Sequence, residues 1–180
     1  MAVTAAAFAW AAAGPAAATE ALADEAQLLI NAVRASVHGC QDDGSGRAQR
    51  VSLPASLPRP TVTWNPQLAA AAQNHARAMA EQRFFDHVDP QGRDVAQRVS
   101  ATGYRWRSVG ENLAAGQKTL EEAMRGWLLS EGHCRNLLDE RYVEFGLARV
   151  VSPHPKDRSR VYWALVMGRP GGIGTTAALQ

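Results

Sequence analysis

Apolar residues recur at helical spacing in two long stretches of the chain. In residues 19–38 they recur every three or four positions, which is typical of a helix with one buried face, and Thr19 is placed to cap it. Asn65 and Pro66 have the residue types of a helix cap and of a first helical position. The inner stripe of this second helix consists of Leu68, Ala72, His75 and Met79. Both stretches therefore predict amphipathic helices.

Two shorter helices are predicted further along the chain. Val95 and Val99 lie one turn apart, and Gly103 has the residue type that ends a helix. Thr119 precedes an apolar stripe over residues 120–128 and is placed to cap it. The chain thus has four predicted helices, all of which begin before its last third.

The strand signals come late. Residues 143–147 alternate between apolar and small or polar side chains, which predicts a strand with one buried face. Residues 161–167 are apolar throughout, as in a strand covered on both faces, and residues 110–116 give a weaker strand signal. Few strands alternate with helices, which argues against a doubly wound parallel sheet. We therefore predict an α+β fold in which a mainly antiparallel sheet lies between two helical layers.

The two ends of the chain differ from its middle. Residues 1–18 carry no charge, are mostly alanine and end in three alanines, which predicts a secretory signal and a secreted or periplasmic protein. The alternative is an alanine-rich helix that belongs to the fold. Residues 19–170 then form one domain, and residues 171–180 form a loose tail without a pattern. The first stretch is too short to span a bilayer, so a protein that does not cross the membrane is expected.

Composition narrows the classes of partner. The chain is 46% hydrophobic and 20% charged, which excludes a disordered polypeptide. Its net charge of +2 comes from scattered arginines, and this argues against a nucleic-acid-binding protein because phosphate binding needs a clustered basic patch. A monomer is expected. The two cysteines, Cys40 and Cys134, suggest one disulfide in an exported chain, and two buried thiols in a cytosolic one.

Three short segments place titratable residues among aromatics and glycines. They are residues 84–87, 110–112 and 132–136. Two histidines, His87 and His133, together with Glu111 would suit zinc or another divalent cation, and would also suit general acid–base chemistry. The sequence lacks the H-E-x-x-H zinc motif and the G-x-S-x-G nucleophile elbow. Spacing alone favours a plainer role, in which both histidines donate to backbone carbonyls and Glu111 caps a turn.

The order of these motifs resembles the bacterial domains of the CAP superfamily, which comprises the cysteine-rich secretory, antigen 5 and pathogenesis-related proteins. In order along the chain they are F-F-D-H, G-E-N-L-A-A-G, W-L-L-S-E-G-H-C-R-N-L, F-G-L-A and Y-W-A-L-V-M-G. The resemblance covers roughly residues 28–167. It implies a three-layer α-β-α sandwich, in agreement with the layers predicted above.

The resemblance also implies a cleft. Family members gather two histidines and two glutamates there, and some of them bind a divalent metal. By motif, His87, Glu111 and His133 match three of these positions. The position of the second glutamate holds Ser130, with Glu131 next to it, so the set is incomplete.

Other residues receive roles beside this cleft. The aromatic residues near it are expected to form an apolar wall, and they are Phe84, Phe85, Tyr104 and Trp106. Asn112 is expected to order the turn after Glu111. The resemblance also favours a Cys40–Cys134 disulfide, which would hold the His133 segment against the end of the first helix.

The sequence is compatible with three functions. The first is a binding module whose cleft or groove takes a lipid, a glycan or a protein. The second is a metal-dependent hydrolase that uses His87, His133 and Glu111, and the third is a structural domain with a vestigial cleft. Binding ranks first, because the missing second glutamate removes the best candidate for a general base.

Overall fold

The computed structural model describes residues 15–37, 39–40 and 59–172. The helices in these ranges are α1 (Pro15–Ser36), α2 (Pro66–Gln82), α3 (Val95–Ala101), α4 (Leu120–Leu129) and α5 (Glu131–Leu138). The strands are β1 (Thr63–Trp64), β2 (Trp106–Ala115), β3 (Glu144–Val151) and β4 (Val161–Pro170). Most of the predicted signal, most of the loop after α1 and the tail from residue 173 lie outside the described residues.

The four strands form one sheet in the order β1-β3-β4-β2. Strand β4 pairs antiparallel with both β2 and β3, and the two-residue β1 pairs parallel with β3. The first eight residues of β4 are buried, because helices cover both faces of the sheet. Helices α2 and α3 lie on one face, and α1, α4 and α5 lie on the other. The predicted α+β sandwich is confirmed.

Each helical layer has its own apolar core against the sheet. Trp127, Phe145 and Trp163 are at the centre of the core beneath α1, α4 and α5. Leu68 and Met79 of α2 pack with Val166 of β4 in the other core. Within the described ranges no helix combines the length and apolarity that a membrane crossing requires.

Helix α1 is held to α5 by one covalent bond and by one buried arginine. The predicted Cys40–Cys134 disulfide is confirmed, and its Cα atoms lie 5.7 Å apart. It closes a separation of 94 residues, and by the loop-entropy model such a bridge is worth ~4–5 kcal/mol. The guanidinium of Arg34, a residue only 1% exposed, donates to the backbone carbonyls of Leu137 and Tyr142 at 2.7 and 3.3 Å.

One local prediction is wrong, and two short elements were not predicted. Helix α1 begins at Pro15, so Thr19 lies inside the helix and does not cap it. The helix therefore runs across the predicted cleavage position after residue 18. Helix α5 was not predicted, because it has only eight residues and contains Gly132 near its start. Strand β1 was not predicted either, since two residues carry no periodic signal.

Helix α2 lies directly on β3 at Gly146. A Cβ atom at this position would lie 2.0 Å from the backbone nitrogen of Ala69 and 2.3 Å from the carbonyl carbon of Leu68. Only a residue without a side chain permits this approach. The segment that follows α2 carries the first candidate site residues, so the contact also fixes where that segment begins.

Replacing Gly146 tests this close approach. Gly146→Ala is expected to lower the free energy of unfolding by about 3 kcal/mol or more, because backbone atoms cannot move aside as flexible side chains do. Urea denaturation followed by circular dichroism measures the change. The matched control is Gly126→Ala on the exposed side of α4, where a Cβ meets nothing within 4 Å and the stability rises by up to ~1 kcal/mol. Equal stability of Gly146→Ala and the parent would contradict this packing.

Candidate functional site

An open cleft of about 280 Å³ brings together residues from three parts of the chain. Its lining consists of Phe85, Asp86, His87, Leu113 and His133. The first three follow α2, Leu113 belongs to β2, and His133 lies in the first turn of α5. The structure therefore places His87 and His133, which are 46 positions apart in the sequence, in one cleft.

The carboxylate of Glu111 lies buried beside this cleft. Its side chain is 2% exposed, and both of its oxygens have partners. Oε1 lies 2.9 Å from Nδ1 of His87, and Oε2 accepts a hydrogen bond of 2.7 Å from Nη2 of Arg98. A buried charge is tolerated only when it is paired and hydrogen-bonded. Both oxygens of Glu111 are therefore committed within the fold.

Arg98 is the site residue that sequence reasoning missed. It lies in α3, whose N-cap Asp94 forms a capping box with Gln97. Besides Glu111, the guanidinium binds the backbone carbonyls of His87 and Arg93, each at 2.7 Å. The sequence did carry a signal for this residue. Arg98 lies three positions after Val95 and next to Val99, the two inward valines of α3, and this spacing puts it on the buried face. Arg98 thereby fixes the segment from residue 87 to residue 93.

His87 is oriented by the buried carboxylate while its ring stays half exposed. A carboxylate only accepts hydrogen bonds, so Nδ1 of His87 carries the proton and donates to Glu111. This hydrogen bond raises the pKa of His87 above its ordinary value. The other ring nitrogen, Nε2, takes no part in that bond and is left for a ligand.

His133 has the opposite electrostatic environment. Burial lowers its pKa, and the nearby charge of His87 lowers it further. Between the two pKa values His87 is protonated and His133 is neutral. The cleft thus presents a cationic donor beside a neutral imidazole.

An amide network joins β2 to α5 behind the two histidines. Nδ2 of Asn112 donates to the backbone carbonyl of His133 at 2.9 Å. Nδ2 of Asn136 donates at 3.1 Å to the carbonyl of Glu111 and to Oδ1 of Asn112. The predicted turn after Glu111 is not there, because residues 106–115 form one strand. Asn112 instead holds α5 in position against that strand.

Several predicted neighbours lie outside the cleft lining. Ser130 is the junction between α4 and α5, and Glu131 forms an exposed ion pair with Arg135. Tyr104 is buried, and its hydroxyl donates to Glu144 at 2.6 Å. Tyr104 is therefore held at Glu144, the first residue of β3, and the structure does not place it in the cleft.

The aromatic wall is smaller than predicted. Phe85 lines the cleft and is 54% exposed. Phe84 instead packs edge-on against the ring of His75, with 5.8 Å between centroids. Trp106 donates from its indole to Ser100. His75 is the buried, hydrogen-bonded histidine that was predicted, and its Nε2 donates to the carbonyl of Asp86 at 2.9 Å.

With this geometry in place, the family can be identified. The family model described as the Cysteine-rich secretory protein family, CAP, matches residues 28–167. The chain belongs to the CAP family.

Two solved structures share its fold. An extracellular protein containing a SCP domain from Bacillus anthracis str. Ames is 28% identical with a TM-score of 0.53, and the match covers 62% of this chain and 34% of that one. An outer surface protein from Borrelia burgdorferi is 16% identical with a TM-score of 0.58, and the match covers 84% and 92%.

Curated relatives of this CAP protein match over a shorter stretch. The uncharacterized protein YkwD of Bacillus subtilis (strain 168) is 33% identical over 85 residues, which is 47% of this chain and 33% of YkwD. The uncharacterized membrane protein YlbC of the same organism is 31% identical over 86 residues, which is 48% of this chain and 25% of YlbC. The match therefore spans a third or less of each curated relative.

Because the chain belongs to the CAP family, the donor atoms of the cleft have to be compared with those of a metal site. Among the residues that the structure describes, no three His, Cys, Asp or Glu side chains lie close enough together to hold a metal ion. His87 has the carboxylate partner that a metal-binding histidine commonly has, and His133 adds a second nitrogen. Resident zinc takes three or four protein ligands. The donors of this cleft do not fit a resident zinc ion.

Removing the guanidinium tests whether Arg98 holds the site together. Arg98→Met is expected to lower the free energy of unfolding by about 3–5 kcal/mol, because it leaves a buried carboxylate with one partner. The double variant Arg98→Met, Glu111→Leu should recover part of this loss, because it removes the unpaired charge as well. Urea denaturation measures all three proteins.

The control for this prediction is an exposed ion pair. Arg135→Met breaks the contact with Glu131, in which the arginine is 72% exposed, and should change the stability by less than about 1 kcal/mol. If Arg98→Met cost no more than Arg135→Met, the buried ion pair would not be what holds the segment.

Proposed function

We propose that this CAP protein is an exported binding module whose cleft recognises a segment of a partner protein. One observation carries the proposal: the carboxylate of Glu111 is fully used in orienting His87 and neutralising Arg98. A carboxylate whose two oxygens both bind side chains of the fold serves to position those side chains. It is not available to take a proton from water.

The chemistry of the cleft suits a mixed ligand. Phe85 and Leu113 offer apolar contact, and His87 and His133 offer a donor and a neutral imidazole side by side. An exposed aromatic side chain with nearby polar groups is typical of protein interaction sites. We expect a side chain of the partner to contact Phe85 while a polar group lies between the histidines.

The size of the cleft favours a protein over a lipid. Pockets that enclose a drug-sized molecule are usually between about 300 and 1,000 Å³. This cleft has about 280 Å³ and is open. It accommodates one side chain or one sugar ring, and the rest of the ligand would lie across the outer surface.

Hydrolysis ranks below binding for the same reason. A metal-dependent hydrolase needs a metal site together with a group that accepts a proton. Glu111 is committed to its two partners, and Glu131 is paired with Arg135. Ser130 stands at the position that the family resemblance gives to a second glutamate. Asp86, the carboxylate that lines the cleft, accepts the backbone N–H of Val88. A vestigial cleft ranks third, because Phe85 remains 54% exposed in the cleft lining and is available to a ligand.

Export is part of the proposal. Disulfides persist in oxidising compartments, and the Cys40–Cys134 bridge is consistent with one. The alanine-rich start of the sequence has the composition of a secretory signal. The similar protein from Bacillus anthracis is described as extracellular.

A ligand panel with cleft variants tests the proposal. The oxidised protein is applied to a peptide array, a glycan array and phosphatidylcholine–phosphatidylglycerol vesicles, and bound peptides are then measured by calorimetry. Phe85→Ala and His133→Ala are each expected to weaken peptide binding at least ~10-fold, the level of an interface hot spot. The control Leu28→Ala removes an apolar side chain that is 74% exposed on α1 and should leave the affinity unchanged.

Other outcomes would overturn this assignment. If the protein binds glycans or vesicles selectively, and if Phe85→Ala and His133→Ala weaken that binding, the ligand is a glycan or a lipid and not a peptide. Cleavage of array peptides by the parent but not by His87→Ala would favour the hydrolase. An absence of binding in all three arms would favour the vestigial cleft.

A further inference from the structure

A second pocket, which shares no residue with the cleft, is lined mainly by arginines. It has about 330 Å³, and its lining residues are Arg107, Ser108, Arg141 and Arg169. Two of them lie in β2, one lies after α5 and one lies near the end of β4. We refer to these four residues as the arginine pocket.

The sheet brings these side chains to one face. Ser108 pairs with Arg169 across the β2–β4 ladder, and a register shift between Trp106 and Ser108 bulges β2 at Arg107. A Cβ on the neighbouring Gly168 would point at Tyr104 and Leu68, on the side of α2. Because side chains alternate along a strand, Arg169 points to the opposite face. The bulge matters for Arg107, because a β-bulge commonly redirects a side chain.

The charge of the arginine pocket is only partly balanced. Arg141 is bound by the carboxylate of Asp139, with its Nε 3.0 Å from both oxygens. In the described part of the chain no carboxylate lies within ion-pair distance of Arg107 or Arg169. The pocket therefore carries an excess of two positive charges.

Ser108 adds a polar atom that lacks a partner. Its Oγ is buried, and it has no hydrogen-bond partner among the described residues. A buried hydroxyl without a partner costs free energy, so its presence in a pocket of cations points to a ligand that supplies the missing acceptor. The cation cluster and the unsatisfied hydroxyl are independent observations with the same implication.

We propose that the arginine pocket binds a tetrahedral oxyanion, the phosphate group of a monoester. The planar guanidinium groups of Arg107 and Arg169 match the oxygens of such a group in geometry. Its two negative charges match the two unpaired positive charges. The hydroxyl of Ser108 donates to a third oxygen, which a carboxylate does not have.

Inorganic phosphate is the first probe. The oxidised full chain is titrated with phosphate at constant ionic strength, and the shift of its melting temperature and calorimetric binding are followed. The double variant Arg107→Ala, Arg169→Ala is expected to bind at least ~10-fold more weakly, because it loses charge-assisted hydrogen bonds. The matched control Arg125→Ala, Arg158→Ala loses the same charge from exposed positions outside the pocket and should bind like the parent.

Ser108→Ala separates a ligand role from a structural one. Without phosphate its melting temperature should equal or exceed that of the parent, because the variant removes a hydroxyl that lacks a partner. With phosphate it should show a smaller rise than the parent. A variant that is less stable without phosphate would mean that Ser108 serves the fold, and this would overturn its role as a donor to the anion.

A second experiment distinguishes a lipid headgroup from a soluble compound as the source of the oxyanion. Co-sedimentation with phosphatidylcholine vesicles, with and without phosphatidic acid, tests a lipid headgroup. If vesicles with phosphatidic acid sediment the parent but not the double variant Arg107→Ala, Arg169→Ala, the oxyanion comes from a membrane lipid. If the parent binds phosphate but does not sediment with these vesicles, the oxyanion comes from a soluble compound. Equal loss of phosphate binding in both double variants, or no binding by the parent, would overturn the proposal.

Discussion

The buried carboxylate of Glu111 is the constraint on which the site depends. A negative charge inside a protein must be paired, and here Arg98 and His87 pair it. Because these partners come from α3 and from the segment after α2, the charge joins both to β2. The same guanidinium binds two backbone carbonyls of that segment. The position and protonation of His87 therefore follow from a charge that the ligand itself does not need to touch.

This arrangement shows how a histidine cleft is built around one buried carboxylate. A fold does not determine a function, because function depends on the groups at a site. The cleft has two histidines whose pKa values are shifted in opposite directions. Such a pair distinguishes donors from acceptors on a ligand. The arginine pocket has a different chemistry, since it presents unpaired cations.

The sequence predicted the layers better than the contacts between them. Strand β4 was predicted because a continuous apolar run needs cover on both faces, and α2 because its stripe is regular. Arg98 was missed because its partner Glu111 is 13 positions away and belongs to a different element. Tyr104 was assigned to the cleft from its proximity in sequence, but it lies beside Gly168 of β4 and donates to Glu144 of β3 instead. Residue types indicate which groups need partners, and only the tertiary structure shows which partners they have.

The most direct test of this account is an NMR titration of the histidine rings in the parent and in Glu111→Gln. We expect His87 to titrate above the ordinary value of about 6.5 in the parent. Its pKa should fall in the variant, because the amide removes the charge that stabilises the imidazolium. His133 should titrate below that value in the parent. The control Glu131→Gln, at an exposed position on α5, should leave His87 unchanged. The same pKa of His87 in the parent and in Glu111→Gln would contradict the claim that the buried carboxylate governs the cleft.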